Sequence, residues 1–428
     1  MLPSNCVNLI TNYNPDRPNI FHRMRSLRII CIICLLCCSF LTAHGQSFDL
    51  VKNRKHIVLP FRIVRNMVVI KLKINDKGPF NFILDTGVGM MIITDPTLVD
   101  SINLVSKRII KIPGLGEGDD AEAYITSFLN IDIPGLVSNN VSAAILKKDH
   151  FNLSNYAGMA IHGLLGYEFF SSLAVKINFS DSTLSICRPK DLHRFGNANK
   201  IPISIEDRKP YLHAKVTYPN NKVQDCKLVI DIGAGHPVSI ESMVQKNGLP
   251  AKYIPANLGI GLNGPINGYI SRINSIQIGK FTIDNVLASF PDEKEKIVSS
   301  VPRDGNLGIG ILKRFDVIFD YADSVMYLKP GFLRDEPFEH DMSGLEYYST
   351  GTDYQHVVIS RVEPGSAGDV IGLERGDEII SINFKPVAKM SLEEIDALFK
   401  SRDNRSILLE VFHDNRYDNV ILTLKRRI

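Results

Sequence analysis

Short apolar runs dominate the chain from residue 57 to residue 332. Some alternate with polar positions and others are apolar throughout, and both patterns predict β-strands. They fall at 57–63, 68–74, 80–84, 125–131 and 175–179, and again at 211–216, 228–230, 273–278 and 317–319. Helical spacing is scarce; the best stretches, 168–172 and 312–315, are about one turn long. The segment 197–210, with its prolines and charges, reads as a crossover between two strand-rich units. Beyond residue 333 the texture changes. Acidic residues and Pro337 lead into glycine-punctuated apolar runs, a helical pattern at 391–402 and strands at 406–412 and 419–426.

The two strand-rich units are copies of each other. FNFILDTGVGMMIIT at 80–94 and CKLVIDIGAGHPVSI at 226–240 share an apolar lead-in, an Asp, a Gly and a second Gly two residues on. A second pairing follows, GLLGYEFFSSLAVKINFSDSTLSI at 163–186 with GNLGIGILKRFDVIFDYADSVMYL at 305–328. It matches Gly163 with Gly305, Gly166 with Gly308 and Asp181 with Asp323. Each copy also carries a glycine-studded run between the two signatures, at 114–118 and 257–268. Matched features in the same order are the mark of a duplication. The expected organisation is a leader at 1–45, a first lobe at 49–195, a second at 200–332 and a small α/β module at 338–428.

Composition narrows the function classes. Residues 1–45 hold four Arg and one Asp, so the formal charge of +3 for the whole chain falls to zero without them, and nothing argues for nucleic acid as a partner. The apolar stretch IICIICLLCCSFL at 29–41 follows Arg23, Arg25 and Arg28 and ends near Ala43-His44-Gly45. This is the pattern of a secretory signal peptide with Met24 as its start, and it is shorter than the ~20 residues that span a bilayer. An exported product, periplasmic or secreted, is expected, with no stable membrane span once the leader is removed. Five of the seven cysteines lie in the first 38 residues. Cys187 and Cys226 remain, either as one disulfide or as separate buried thiols. No spacing of His or Cys suggests a metal, and no cofactor is implied.

The chemistry-bearing positions are Asp85 and Asp231, delivered by the same turn from two similar halves. Two carboxylates brought close together cannot both stay ionised, so such a pair shares a proton. Gly87 and Gly233 let the backbone come close and direct its N–H groups at the carboxylates.

Residues 50–332 resemble the retroviral-type and pepsin-type aspartic peptidases in a single-chain, two-lobed form. The resemblance rests on Ile83-Leu84-Asp85-Thr86-Gly87 with Leu164-Leu165-Gly166, and on Val229-Ile230-Asp231-Ile232-Gly233 with Leu307-Gly308. It implies mainly β lobes related by a pseudo-twofold axis, Asp85 and Asp231 as catalytic residues, and Thr86, Gly87, Ile232 and Gly233 as supporting residues. It also implies that the threonine beside each Asp reaches its hydroxyl to the opposite loop. Thr86 has that hydroxyl and Ile232 does not. Either the carboxylates lose alignment, or Thr86 finds a backbone carbonyl in the other loop and Ile232 packs against it. The glycine runs are flaps or ordinary hairpins. Glu117, Asp119 and Asp120 would add negative charge near a cleft that favours basic substrate residues.

The last module resembles a PDZ domain of the bacterial exported-protease type. The parts that carry the resemblance are Val362-Glu363-Pro364-Gly365-Ser366-Ala367, Gly372-Leu373, Gly376-Asp377-Glu378-Ile379-Ile380 and Ile382-Asn383. It implies a carboxylate-binding loop at Ser343-Gly344-Leu345-Glu346, with Leu345, Tyr347, Ile395 and Leu398 near a groove that binds peptide by strand addition. The expected partners are protein or peptide substrates and a C-terminal peptide ligand. Two functions compete: an exported aspartic endopeptidase whose PDZ domain recruits substrates, and a peptidase-like binding protein whose carboxylates no longer cleave.

Overall fold

Side chains along Met67–Ile74 and Lys77–Leu84 become more buried toward the ends that feed the Asp85 loop, because this lead-in crosses the middle of a sheet and not its rim. The computed structural model describes residues 48–51, 53–112, 121–193, 198–241, 248–261, 264–292 and 299–428. The leader, the glycine run at 114–118 and the acidic trio Glu117, Asp119 and Asp120 lie outside the described residues. The chain is mainly β.

Its first lobe is built on a sheet with nine described strands. At the centre, Gly163–Leu165 runs parallel to Lys77–Leu84 and antiparallel to Met91–Ile93. The second lobe repeats this centre among its eight described strands: Gly305–Gly308 runs parallel to Val223–Asp231 and antiparallel to Val238–Ile240.

A six-stranded sheet joins the lobes, three strands from each: His56–Pro60, Ala174–Asn178 and Thr183–Cys187 with Asn199–Pro202, Phe315–Asp320 and Val325–Pro330. Lys176 pairs with Ile318, its own counterpart in the duplication, and Val175 and Ile177 pair with Phe319 and Val317. The pseudo-twofold axis therefore passes through the Lys176–Ile318 pair. One apolar core continues through both lobes, holding Phe82, Phe169 and Phe170 with Ile230, Phe315 and Phe319.

Several sequence expectations shift. The run at 57–63 breaks after Pro60 into His56–Pro60, in the joining sheet, and Arg62–Val64, in the first lobe. The crossover expected at 197–210 is instead strand: Asn199–Pro202 and Ser204–Glu206, with Lys209–Thr217 following. Pro202 is tolerated because its strand lies at the sheet edge. The helix expected at 312–315 forms earlier, at Ile309–Leu312, directly after Gly308, while Phe315 opens a buried strand. Tyr167–Phe170 is its counterpart after Gly166. Cys187 and Cys226 are separate buried thiols. Among the described residues no helix is long and apolar enough to cross a membrane.

The C-terminal module has its own sheet, in the order Leu345–Thr350, His356–Val362, Glu378–Ile382, Ser406–His413, Arg416–Thr423, and its own core around Ile359, Ile379, Phe399 and Leu409. Helix Leu392–Phe399 packs on that core. Its start is set by a reciprocal cap: the Ser391 hydroxyl accepts from the Glu394 amide while the Glu394 carboxylate accepts from the Ser391 amide.

Candidate active site and peptide groove

Asp85 and Asp231 end matching central strands, and the twofold brings their loops together. Each carboxylate lies over the glycine of the opposite loop. A Cβ on Gly87 would come 2.6 Å from Asp231 Oδ2, and one on Gly233 would strike the Asp85 carboxyl. Only glycine permits this approach from both sides. Behind the first loop the Asp85 amide donates to the Leu165 carbonyl at 3.0 Å and the Tyr167 amide to the Val88 carbonyl at 3.2 Å. Behind the second, the Gly308 amide donates to Pro237 and the Ile309 amide to Ala234, both at 2.9 Å. These bonds brace each loop from the element that contains Leu165 and Gly166 in the first lobe and Leu307 and Gly308 in the second.

Thr86 links the loops with one hydroxyl. Its hydroxyl donates to the Ile230 carbonyl at 2.7 Å and accepts from the Ile232 amide at 3.0 Å, while the Ile232 side chain is fully buried. Of the two outcomes open from sequence, this is the second: one hydroxyl satisfies a donor and an acceptor of the opposing loop, and the isoleucine fills the space where a twin would sit.

The two carboxylates are held differently. Asp85 Oδ1 accepts the Gly87 amide at 2.7 Å. Asp231 Oδ1 accepts the amides of Gly233 and Ala234 at 2.9 and 3.1 Å, and its Oδ2 accepts Asn306 Nδ2 at 2.8 Å. Burial, then the charge of Asp231 and a hydrogen bond to it, holds the Asp85 carboxyl well above the usual carboxylate range. Hydrogen bonds to a carboxylate favour its ionised form, and Asp231 receives three N–H donors where Asp85 receives one.

Asn306 is in turn oriented by His236, whose Nε2 lies 3.2 Å from Asn306 Oδ1. With its nitrogen donating to Asp231 Oδ2, the Asn306 amide turns its oxygen to His236, where an Nε2–H can donate to it. Burial keeps that imidazole below its usual pKa, against the opposing pull of the Asp231 charge. Tyr321, stacked on Phe170 with ring centroids 5.7 Å apart, lies close enough to feel both carboxylates. Burial and then the charges of Asp85 and Asp231 push its phenol well up.

Sequence reading did not find Asn306, His236 or Tyr321. A signal existed for the first: it replaces Leu164 of the other copy inside an otherwise matched Gly-x-Leu-Gly element, a polar residue where the fold asks for an apolar one. Among the described residues no group of three or more His, Cys, Asp or Glu is placed to hold a metal ion.

Of the glycine runs, the one at 257–268 is described apart from residues 262 and 263. It forms the end of the hairpin Ile254–Gly261 and Gly264–Ile278, with its register interrupted between Asn257 and Ile260. Asn257 Nδ2 reaches Glu346 Oε2 of the C-terminal module at 3.3 Å.

The residues assigned to a peptide groove are placed as follows. Leu345, Tyr347 and Ile395 are buried in the module's core, with Leu398 partly buried beside them. The Ser343 and Gly344 amides donate to Asp341 Oδ1 at 2.9 and 2.8 Å, and the Leu345 amide donates to Ser343 Oγ at 3.1 Å. The loop expected to hold a ligand carboxylate thus already holds the carboxylate of Asp341. Glu346 is ion-paired with Arg361 at 3.0 Å. Between strand Leu345–Thr350 and helix Leu392–Phe399 lies Arg65 of the first lobe, bonded to both.

Comparison with known proteins agrees with this architecture. The family model described as aspartyl protease matches twice, over residues 70–169 and 214–311, so that each match contains one of the two Asp-x-Gly loops. A PDZ domain model matches residues 358–411. Among curated proteins no match was found. The chain carries the aspartyl protease domain in two copies, followed by a C-terminal PDZ domain.

Proposed function

We propose that this protein is an aspartic endopeptidase in which Asp85 and Asp231 activate water, and that its PDZ domain recruits protein or peptide substrates. The observation that carries the reading is the unequal environment of two carboxylates held against each other's loops. Asp85 is buried and raised, with one backbone donor on Oδ1, while Asp231 receives two amides and the Asn306 side chain. Such inequality suits a pair that must hold one proton between them. In the resting state Asp231 is the ionised base and Asp85 the acid. Water placed between them loses a proton to Asp231 as it attacks the peptide carbonyl, whose oxygen takes the proton from Asp85. As the tetrahedral intermediate collapses and the C–N bond breaks, Asp231 passes its proton to the leaving nitrogen while a hydroxyl of the intermediate gives its proton back to Asp85, restoring the starting pair. Water is the nucleophile, so no acyl-enzyme forms. Delivery outside the cytoplasm, to the periplasm or the medium, is part of the same proposal and rests on the signal-like pattern at 24–45.

A second reading, a peptidase-like protein that binds peptides without cutting them, is favoured by one observation: Ile232 leaves the inter-loop lock with a single hydroxyl. One experiment separates the two. Purified residues 46–428 are incubated with an unstructured mixed protein substrate from about pH 3 to pH 8, with Asp85→Asn and Asp231→Asn in parallel, and the products are read by mass spectrometry. Cleavage abolished in both variants is the expected result. A folded wild-type chain that yields no products across this range would transfer the reading to binding.

A further inference from the structure

The space between the module's edge strand and its helix receives the Arg65 side chain from the first lobe, while Leu153–Ala157 and Gly158 of the same lobe pack beside it, Gly158 against Ser349 and Leu392. Arg65 Nη1 donates to the Tyr347 carbonyl at 3.0 Å, on the strand that ends the sheet. Its Nε and Nη2 form a two-pronged pair with the Asp396 carboxylate on the helix, at 3.1 and 3.0 Å. The Arg65 backbone amide donates to Glu393 Oε1 at 2.7 Å. The guanidinium lies between two rings, 4.4 Å from the centroid of Tyr156 and 4.9 Å from that of Tyr347. The Tyr347 hydroxyl bonds Asp396 from the other side. Tyr156 comes from the first lobe with Arg65 itself; on the module's side a carbonyl, a carboxylate presented to two parallel N–H groups and the Tyr347 face form a pocket for a planar guanidinium, one that a lysine ammonium fits poorly.

The duplication provides an internal control. Arg65 and Asn66 are the two central residues of a tight hairpin turn and both have positive φ, 45° and 65°. Such turns favour Asn and Gly and gain nothing from Arg. The second lobe makes the same turn with Asp207 and Arg208, at φ 45° and 63°. Both turns lean on the opposite aspartate loop: Asn66 Nδ2 donates to the Gly235 carbonyl at 3.1 Å, and Arg208 Cβ lies 3.4 Å from where a Cβ on Gly89 would be. The turn is therefore used twice, but at the position of Arg65 the second copy carries the opposite charge. The fold does not require an arginine there; the pocket does.

We propose that this groove is a recognition site for an arginine side chain on a peptide, and that Arg65 occupies it in cis, so that an arginine-bearing segment binds by displacing the first lobe. The inference rests on the reading of this domain as a peptide-recognising module and names its selectivity. Because Asp341 already takes the Ser343 and Gly344 amides, the arginine pocket and not the carboxylate loop discriminates among ligands.

The test uses residues 46–428 carrying Asp85→Asn, so that peptides are not consumed, with and without Arg65→Gln. A pool of labelled decapeptides is synthesised in two forms, with Arg and with Gln at the same position. Thermal unfolding checks each protein, and Arg65→Lys serves as a second variant that keeps the charge. The expected result is that the Arg65→Gln chain binds Arg peptides at least ~10-fold more tightly than their Gln forms and more tightly than the chain with Arg65 does, with Arg65→Lys between them. Adding Asp396→Asn should erase the preference. Equal binding of both forms would overturn the arginine pocket while leaving a peptide-recognising module in place. Equal affinity with and without Arg65 would overturn its role as occupant. An absence of peptide binding by every folded variant would remove both the inference and the reading beneath it.

Discussion

Thr86 bridges two loops that in a symmetric arrangement would each contribute a hydroxyl. Its single side chain leaves no orphan, since it satisfies both the Ile230 carbonyl and the Ile232 amide. Ile232→Thr would place a second hydroxyl at the twofold-related position, opposite the backbone at Leu84, at a cost of roughly 1 kcal/mol in lost apolar packing. Cleavage should be preserved or raised, as measured by kcat/KM on a peptide found in the product survey. A sharp fall would show that the asymmetric turn is built around isoleucine. Asn306 invites the complementary experiment, because the other copy already shows what the fold tolerates there. Asn306→Leu, which copies Leu164, removes the donor on Asp231 Oδ2 and strands the oxygen of a carboxylate that must be ionised to act as base. The acid limb of the pH–rate profile, which belongs to the pair and not to either aspartate, should move to higher pH, with a fall in kcat of about 10-fold. An unchanged profile would mean that the two backbone amides on Oδ1 suffice.

At the scale of elements, the short helix Tyr167–Phe170 shows how a brace can carry an electrostatic cost. Gly166 ends the strand beside Asp85, and the helix that follows turns Glu168 into the core, 2 % exposed. Burial raises its carboxyl from 4.5 to about 7, only partly opposed by backbone hydrogen bonds and the charge of Arg208. The folded chain therefore binds this proton more tightly than the unfolded chain does. Its contribution to stability is complete below about pH 4.5 and is lost as pH rises through about 7, a decline of roughly 3 kcal/mol. Glu168→Gln should flatten the dependence of urea-unfolding free energy on pH in that window; Asp85, raised in the same direction, keeps its own part of the slope in both proteins. An equal slope in wild type and variant would assign the titration elsewhere. The helix could be anticipated because 168–172 has helical spacing after a glycine, but Glu168 reads as the exposed acid of a first turn. Only the tertiary packing makes it buried, with the Met91 backbone and the charge of Arg208 near it and Phe169 and Phe170 beside it in the core.

Across the whole molecule, the C-terminal module is tied to both lobes. Arg314, 5 % exposed at the end of the second lobe's buried helix, gathers the segment that leads to it. It donates to the carbonyls of Leu333, Arg334, Glu336 and Pro337, and its guanidinium lies 3.6 Å from the Phe338 ring centroid. Arg314→Ala would leave these carbonyls unpaired, at about 3 kcal/mol for a set of charge-assisted bonds. The expected signs are a lower urea midpoint and faster proteolytic nicking between residues 331 and 341, with unchanged nicking as the outcome that would deny the strap its role. The Arg65–Asn66 turn makes the tie on the other side, with one residue in the groove and the next on the carbonyl of Gly235, two positions past Gly233. One turn thus touches both the groove and the second aspartate loop.

The amino-acid sequence by itself determined the mainly β class, the duplication, the position of both Asp-x-Gly loops and the presence of a PDZ domain. Each of these is written locally, in a lead-in of apolar residues, in glycines that leave room for another backbone, or in a run of turns and strands with its own core. The tertiary structure decided what meets across distance. It gave one threonine two partners 144 and 146 residues away, set Asn306 and His236 behind a single aspartate, and seated Arg65 in a groove built some 280 to 330 residues later. Such contacts leave no periodicity in the chain, because they depend on how completed sheets pack about a twofold axis and not on any run of neighbouring residues.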